Sequence, residues 1–387
     1  MINPLLSGIR ILDLTRLLPG PFCTLYLAQM GAEVIKIEEP RGGDYARSLS
    51  PELFALVNRH KKSVTLDLRV SEAAAAFRRM AEDADVVVES FRPGVMDKLG
   101  CGYDALREIN PRLVYAALTG YGQTGPYRDR AGHDMNYCGY AGVLEQTGTA
   151  DGPPALSNFQ VADLAGGAMT CALGILAAVI GARASGSGSF VDVSMLDGTL
   201  ALQVMALATM RTVGHAPARG KDMLTGSLPN YTVYACADGK HVAMAALEPK
   251  FFANFCTAVD RPDLARLPLA PGEGGAALYA ELSALFRTRT RDEWESLLGD
   301  KDCCVSAIYT PEEALDHVQV RARELVEPVG GKPAFRLPIR FSNASCSAGG
   351  KTQRTDSPGL GADTREILRA AGVSEEQLAA LSAARAI

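Results

Sequence analysis

The chain has 387 residues, 47% of them hydrophobic and 21% charged, which predicts one large globular domain with a smaller one and argues against a disordered or fibrous protein. Its formal net charge of -5 argues against a broad basic face for nucleic acid or anionic lipid, so an anionic ligand has to be held by a local basic cluster. Nine cysteines without CxxC spacing, the adjacent Cys303 and Cys304 included, argue against zinc and disulfide frameworks and fit a reducing, cytosolic setting.

The opening Met1-Ile-Asn-Pro-Leu-Leu-Ser lacks the charged and apolar regions of a secretory signal, and the closing Arg385-Ala-Ile is no peroxisomal address. Short β-branched runs then alternate with helical segments. The predicted strands are Ile9 to Leu14, Glu33 to Ile37, Ser63 to Leu68, Asp85 to Glu89, Leu113 to Leu118 and Phe190 to Met195. Helix-forming stretches fall at Pro21 to Met30 and at Ser71 to Glu82, with Ser71 as N-cap. This alternation predicts a parallel α/β sheet with a site beyond the carboxyl ends of its strands.

Leu164 to Ala182 has the length of a membrane span, but it is rich in Gly and Ala and stands alone, so it is read as a buried core helix. Ser185-Gly-Ser-Gly-Ser is a turn, and Met195 to Thr212 is a helix leading away from the sheet. Tyr231 to Cys236 and Lys240 to Met244 flank Ala237-Asp-Gly, a hairpin signal, and helices follow through Leu298. After a polar, glycine-rich stretch from Ser342 to Leu360, a helix covers Thr364 to Ala371 and another starts at Ser374. The expected division is a large domain over 1–195, a linker helix over 196–225, a small α+β domain over 226–305, a linker over 306–330, and a return to the large domain over 331–387.

Two motifs fail on inspection. Gly120-Tyr-Gly-Gln-Thr-Gly matches GxGxxG after a strand, but Pro126-Tyr-Arg-Asp-Arg opens no helix to receive a pyrophosphate. Gly349-Gly-Lys-Thr resembles a phosphate-loop tail, but Ser345 stands where the first glycine belongs.

Three residues are candidates for chemistry. His133, in Ala131-Gly-His-Asp-Met-Asn-Tyr137, lies at the start of a helical pattern running toward Leu144, where the positive helix end favours a neutral imidazole. Read locally, it is equally a capping or turn histidine. Asp163 is the one acid at the mouth of the long apolar helix, placed as an N-cap; Gly166 and Gly167 beside it allow close approach of another group. Glu248 precedes Pro249, a helix-start position whose spacing alone assigns it no chemistry.

On these same residues the chain resembles a known family. Gly132-His-Asp-Met-Asn-Tyr, Val161-Ala-Asp-Leu-Ala-Gly-Gly and Leu247-Glu-Pro look like the catalytic segments of α-methylacyl-CoA racemases. Leu17-Leu-Pro-Gly-Pro-Phe, Gly31 to Glu38, Lys61 to Arg69, Glu89-Ser-Phe-Arg-Pro-Gly-Val, Gly120 to Gly125 and Val191 to Gly198 resemble family III CoA-transferases (the CaiB/BaiF type) along nearly the whole chain.

The resemblance implies a racemase acting by 1,1-proton transfer at the α-carbon of a 2-methylacyl-CoA, with His133 on one face, Asp163 on the other and Glu248 orienting the imidazole. Amides at the two helix starts are expected to hold the enolate oxygen. It leaves a CoA transferase using Asp163 as acyl-anhydride nucleophile as the alternative, and a non-catalytic acyl-CoA binder as a third class. It further implies a Rossmann-like large domain, a small α+β domain and an interlocked homodimer in which Glu248 faces His133 across the subunit boundary. Coenzyme A, as part of the substrate, is expected along Leu66, Asp67, Leu68, Arg69, Phe91, Val95, Lys98, Gly132, Asp134, Met135, Asn136 and Tyr137. Arg69 and Lys98 would hold its phosphates. Relatives often carry Arg where this chain has Glu39, with Arg41 the potential substitute. No prosthetic group, metal, nucleic acid or membrane partner is expected.

Overall fold

A computed structural model of the chain describes residues 4–342 and 355–387. Gly349-Gly-Lys-Thr and most of the polar stretch before Leu360 lie outside the described residues. The chain divides into two compact units. The first takes Met1–Val143, Ser157–Gln203 and Arg323–Ile387, and the second takes Leu144–Leu156 and Val204–Ala322.

The first unit is built on six parallel strands: β1 (Arg10–Asp13), β2 (Glu33–Glu38), β3 (Lys62–Thr65), β4 (Val86–Glu89), β5 (Val114–Thr119) and β6 (Phe190–Ser194). Their order is β3-β2-β1-β4-β5-β6, so strand succession reverses between β1 and β4. Ile11, Leu12, Val64 and Val86 to Val88 are fully buried, which is why these strands read as unbroken apolar runs. All six strands stand where the sequence predicts them. The third ends at Thr65 rather than Leu68, leaving Leu66-Asp-Leu-Arg in the loop beyond its carboxyl end.

Helix α1 (Pro19–Gln29) follows β1 after a loop fixed by buried charges. Lys61 Nζ donates to Asp13 Oδ2 at 3.1 Å, Asn58 Oδ1 at 2.9 Å and the Pro21 carbonyl at 3.0 Å. Lys36 Nζ donates to the Thr15 carbonyl at 2.8 Å and pairs with Asp44 at 2.9 Å, and Asp44 Oδ1 accepts the Leu17 N–H. Leu17 needs that anchor because its φ is 64°. Burial pushes Lys61 down to about 8. Burial alone would raise Asp13, but Lys61, Lys36 and the Thr15 and Thr24 hydroxyls hold it well below the usual carboxylate range.

Helix α2 (Asp134–Tyr140) ends earlier than the pattern toward Leu144 suggested. The long apolar helix opens with an i→i+5 wound segment, Ala162–Met169, continues as α3 (Thr170–Ser185), and stops at Gly186, whose φ is 76°. The expectation of a buried core helix needs correction: only one face is covered, by Cys171, Ala172, Ile175, Val179 and Ala182, while Leu173 and Ile180 are each 70% exposed. By length and composition Ala162–Ser185 is apolar enough to cross a membrane, with 39% of its apolar window buried. The predicted helix from Met195 breaks at Leu202 and Gln203 into α4 (Met195–Ala201) and Val204–Val213. Ser71 is the first helical residue, not the cap; Val70 holds the N-cap position.

In the second unit the expected hairpin pairs β7 (Tyr231–Ala235) with β8 (His241–Ala245), and an unpredicted strand, β9 (Val305–Ala307), adds to β8. Its core gathers Tyr234, Phe252, Phe255, Phe286 and Trp294. The Trp294 indole N–H donates to the Phe286 carbonyl at 2.8 Å, so the buried ring has its hydrogen bond.

Candidate active site

The loops that follow the strands of the first unit carry most of its candidates. The loop after β3 carries Leu66 to Arg69, the loop after β4 carries Phe91, Val95 and Lys98, and the chain after β5 leads to Gly132, His133 and α2.

His133 is the N-cap residue of α2 and its side chain is exposed, making no capping hydrogen bond. Its backbone does the capping: His133 N–H donates to Asn136 Oδ1 at 3.0 Å, and its carbonyl accepts from the Asn136 and Tyr137 N–H groups. His133 thus closes a capping box with Asn136, in keeping with the capping reading, while its imidazole stays exposed.

Asp163 was expected to cap its own helix. It does not. Val161 holds the N-cap position and the capping acid is Asp134, whose Oδ1 accepts the N–H groups of Ala162 at 2.7 Å and Asp163 at 3.0 Å. Capping from a separate helix leaves the Asp163 carboxyl available and ties it to the residue that follows His133, so the two candidates stand on neighbouring helix starts. Burial, with the Asp134 charge second, pushes the half-buried Asp163 carboxyl up to about 7 from the ordinary 3.8. The same geometry corrects a second expectation. The Ala162 and Asp163 amides are already taken by Asp134, so the expected pair of helix starts loses these two donors.

The glycines after Asp163 admit protein, not ligand. A Cβ on Gly166 would stand 2.4 Å from Thr199 Oγ1, and one on Gly198 would stand 2.0 Å from the Gly166 carbonyl oxygen, so α4 lies directly on the wound segment. Tyr137 is buried, donates its hydroxyl to the Gly132 carbonyl at 2.6 Å, and fills the space where Cβ atoms on Gly120 and Gly132 would fall. Asp192 accepts the Gln123 N–H at 3.1 Å, and no helix follows the glycine-rich loop, so Gly120 to Gly125 is a closed turn rather than a dinucleotide site.

Among the expected coenzyme contacts, Arg69, Lys98, Met135 and Asn136 are exposed and Asp67, Leu68, Phe91, Val95, Gly132 and Asp134 half-buried. Leu66 is buried like Tyr137, and its N–H donates to the Glu38 carbonyl at 2.8 Å. Arg69 is not a solitary cation: Nε donates to Asp67 Oδ1 at 2.7 Å and Nη2 to Oδ2 at 2.8 Å, and these bonds hold Asp67 below the usual carboxylate range. Arg41 reaches Glu39 at 2.9 Å and Asp67 at 3.6 Å, and Arg69 lies 3.7 Å from Glu39. Glu39 thus draws both guanidinium groups into one exposed cluster.

Glu248 belongs to the second unit. It is the exposed N-cap residue of the helix Pro249–Ala258, with no side-chain capping bond. Among the described residues no group of His, Cys, Asp and Glu could hold a metal ion. Sequence reasoning missed Asp134 as the cap of the Asp163 helix and missed Arg16, which lies against Tyr45 and Phe91 just past β1. The partner of Asp134 is 28 residues away, and nothing local to Arg16 announces its neighbours.

A family model described as CoA-transferase family III matches residues 6–364. The chain is 34% identical to mouse α-methylacyl-CoA racemase, with 99% of this chain and 97% of that protein aligned. It is 32% identical to succinyl-CoA–D-citramalate CoA-transferase of Chloroflexus aurantiacus, over 99% of this chain and 98% of that one. A CAIB/BAIF family protein from Brucella suis superposes with a TM-score of 0.82 at 29% identity, covering 95% of this chain and 100% of that structure. Racemase and transferases therefore match at nearly equal identity.

Proposed function

The chain belongs to CoA-transferase family III, and within it we propose that it interconverts (R)- and (S)-2-methylacyl-CoA thioesters by 1,1-proton transfer. The carrying observation is a carboxyl held near neutrality, Asp163 at about 7, on a helix start coupled through Asp134 to the exposed His133.

Racemisation needs one group unprotonated and the other protonated at the same pH, on opposite faces of the α-carbon. A carboxyl of ordinary acidity beside a neutral histidine fails that requirement, because both would be bases. At about 7 Asp163 carries its proton in a substantial fraction of molecules at neutral pH, so it can act as the acid opposite a base. In one direction the His133 imidazole takes the α-proton, and the C–H electron pair moves into the thioester carbonyl as an enolate. The enolate carbon then takes the Asp163 proton on its other face, leaving carboxylate and imidazolium. The reverse reaction uses the opposite charge states. In this reading Glu248 of a second subunit supports the imidazolium in an interlocked homodimer, and Arg69 and Lys98 serve the coenzyme phosphates.

The near-equal identity to CoA-transferases supports the alternative, in which ionised Asp163 attacks an acyl thioester, forms an anhydride and expels CoA as thiolate. That route starts from the carboxylate, as racemisation in the reverse direction also does, and it assigns His133 no part in moving a proton. In His133→Ala, loss of chirality from a 2-methylacyl-CoA should fall by roughly 100-fold or more at unchanged melting temperature. Full racemisation in that variant sinks the proposal.

A further inference from the structure

In open α/β sheets ligands bind beyond the carboxyl strand ends, where strand succession reverses. Here that place lies between β1 and β4, and Arg16 occupies it. Its backbone N–H donates to Ser90 Oγ at 3.2 Å, joining the loop after β1 to the loop after β4. The guanidinium carbon lies 5.0 Å from the Tyr45 ring centroid and 4.8 Å from that of Phe91, and Nη1 donates to the Tyr45 hydroxyl at 3.2 Å.

Rings hold a guanidinium by its face and leave the in-plane N–H fork free to point outward. Arg41, Arg47 and Arg69, at the same end of the sheet, each pair with a carboxylate. Arg16 pairs with none among the described residues, so its side-chain hydrogen bond to Tyr45 leaves most of its five donors for another acceptor. The neighbouring backbone adds to this: α1, 11 residues long, begins three residues on with Leu18 as an N-cap that makes no side-chain bond, and its positive end favours the same ligand charge. Leu17, fixed at φ 64° by the Asp44 anchor, holds the loop between the two.

We propose that Arg16 receives an oxyanion of the bound acyl-CoA, either a phosphate of the coenzyme or a carboxylate carried by the acyl chain. This rests on the acyl-CoA reading given above. The test is calorimetric binding of acetyl-CoA, succinyl-CoA and the phosphate-free acetyl- and succinyl-pantetheines to the wild-type chain, Arg16→Met and Arg16→Lys. Loss of one charge-assisted contact weakens binding roughly 10- to 100-fold. Weakening of both CoA esters but neither pantetheine ester by Arg16→Met supports the inference with phosphate as the source. Weakening of both succinyl esters but neither acetyl ester supports it with the acyl carboxylate as the source. Arg16→Lys, which keeps the charge but not the planar fork, falls between, and carries the comparison if the Met variant does not fold. Affinities of the variants within twofold of wild type for all four ligands, or an equal loss that includes acetyl-pantetheine, overturn it. A wild-type chain that binds no CoA ester overturns the acyl-CoA reading itself, and this inference with it.

Discussion

Replacing Asp163 by Asn should make the protein more stable, and increasingly so as pH rises. The Asp163 carboxyl titrates near 7 in the folded chain against 3.8 for an ordinary aspartate, chiefly because it is buried. Between those values the folded state binds a proton that the unfolded chain has released, so stability declines as pH rises through this window and the full cost is present above it. The difference amounts to about 1 kcal/mol at pH 4.5 and about 4 kcal/mol at pH 8.5. Asn keeps the shape without the charge and removes that pH-dependent cost. The gap in melting temperature between variant and wild type should therefore widen by roughly 6–12 °C from pH 4.5 to pH 8.5, taking ~2–4 °C per kcal/mol for a unit of this size. Thermal melts by circular dichroism at the two pH values measure it. A gap that stays constant within about a degree refutes the assignment of a raised, burial-driven value to Asp163.

Asp134→Asn keeps the oxygen that caps the wound segment but removes the second cause of the shift, so the Asp163 titration, followed by carboxyl carbon NMR, should move below about 7. A titration at or above the wild-type value contradicts the coupling. Lys61→Met strands the fully buried Asp13 without its partner and should cost ~3–5 kcal/mol, read as a lower urea midpoint, part of which Asp13→Asn restores. An unchanged midpoint would show that the buried charges do not hold the loop after β1. Gly166→Ala drives a methyl against Thr199 and should destabilise by ~1–3 kcal/mol with a fall in turnover, whereas Gly181→Ala, with open space around it, should be neutral or stabilising by up to about 1 kcal/mol. Equal effects of the two substitutions would remove the packing argument.

The six strands were legible because sheet burial on both faces writes itself into local composition, as at Val86 to Val88. The hairpin around Asp238 and Gly239 was legible for the same local reason, since turn chemistry belongs to adjacent residues. What escaped depends on distant partners. Asp163 looks like a cap because an acid at a helix mouth usually is one; only the fold shows that Asp134 has taken that task. The i→i+5 winding of Ala162–Met169 has no sequence period of its own, and the exposure of Leu173 and Ile180 on a largely apolar helix cannot be told from composition. Arg16 gave no signal either, because Tyr45 and Phe91 reach it from other loops. Family resemblance supplied the pairing of His133 with Asp163, and the structure added the link between them through Asp134.

Proton transfer as against acyl transfer is tested most directly by incubating an enantiopure 2-methylacyl-CoA with the wild-type chain in deuterated water, in the presence of a free carboxylic acid. The account predicts deuterium at the α-carbon together with loss of chirality, and no CoA ester of the added acid. Transfer of CoA to that acid with the α-hydrogen and configuration retained would contradict it.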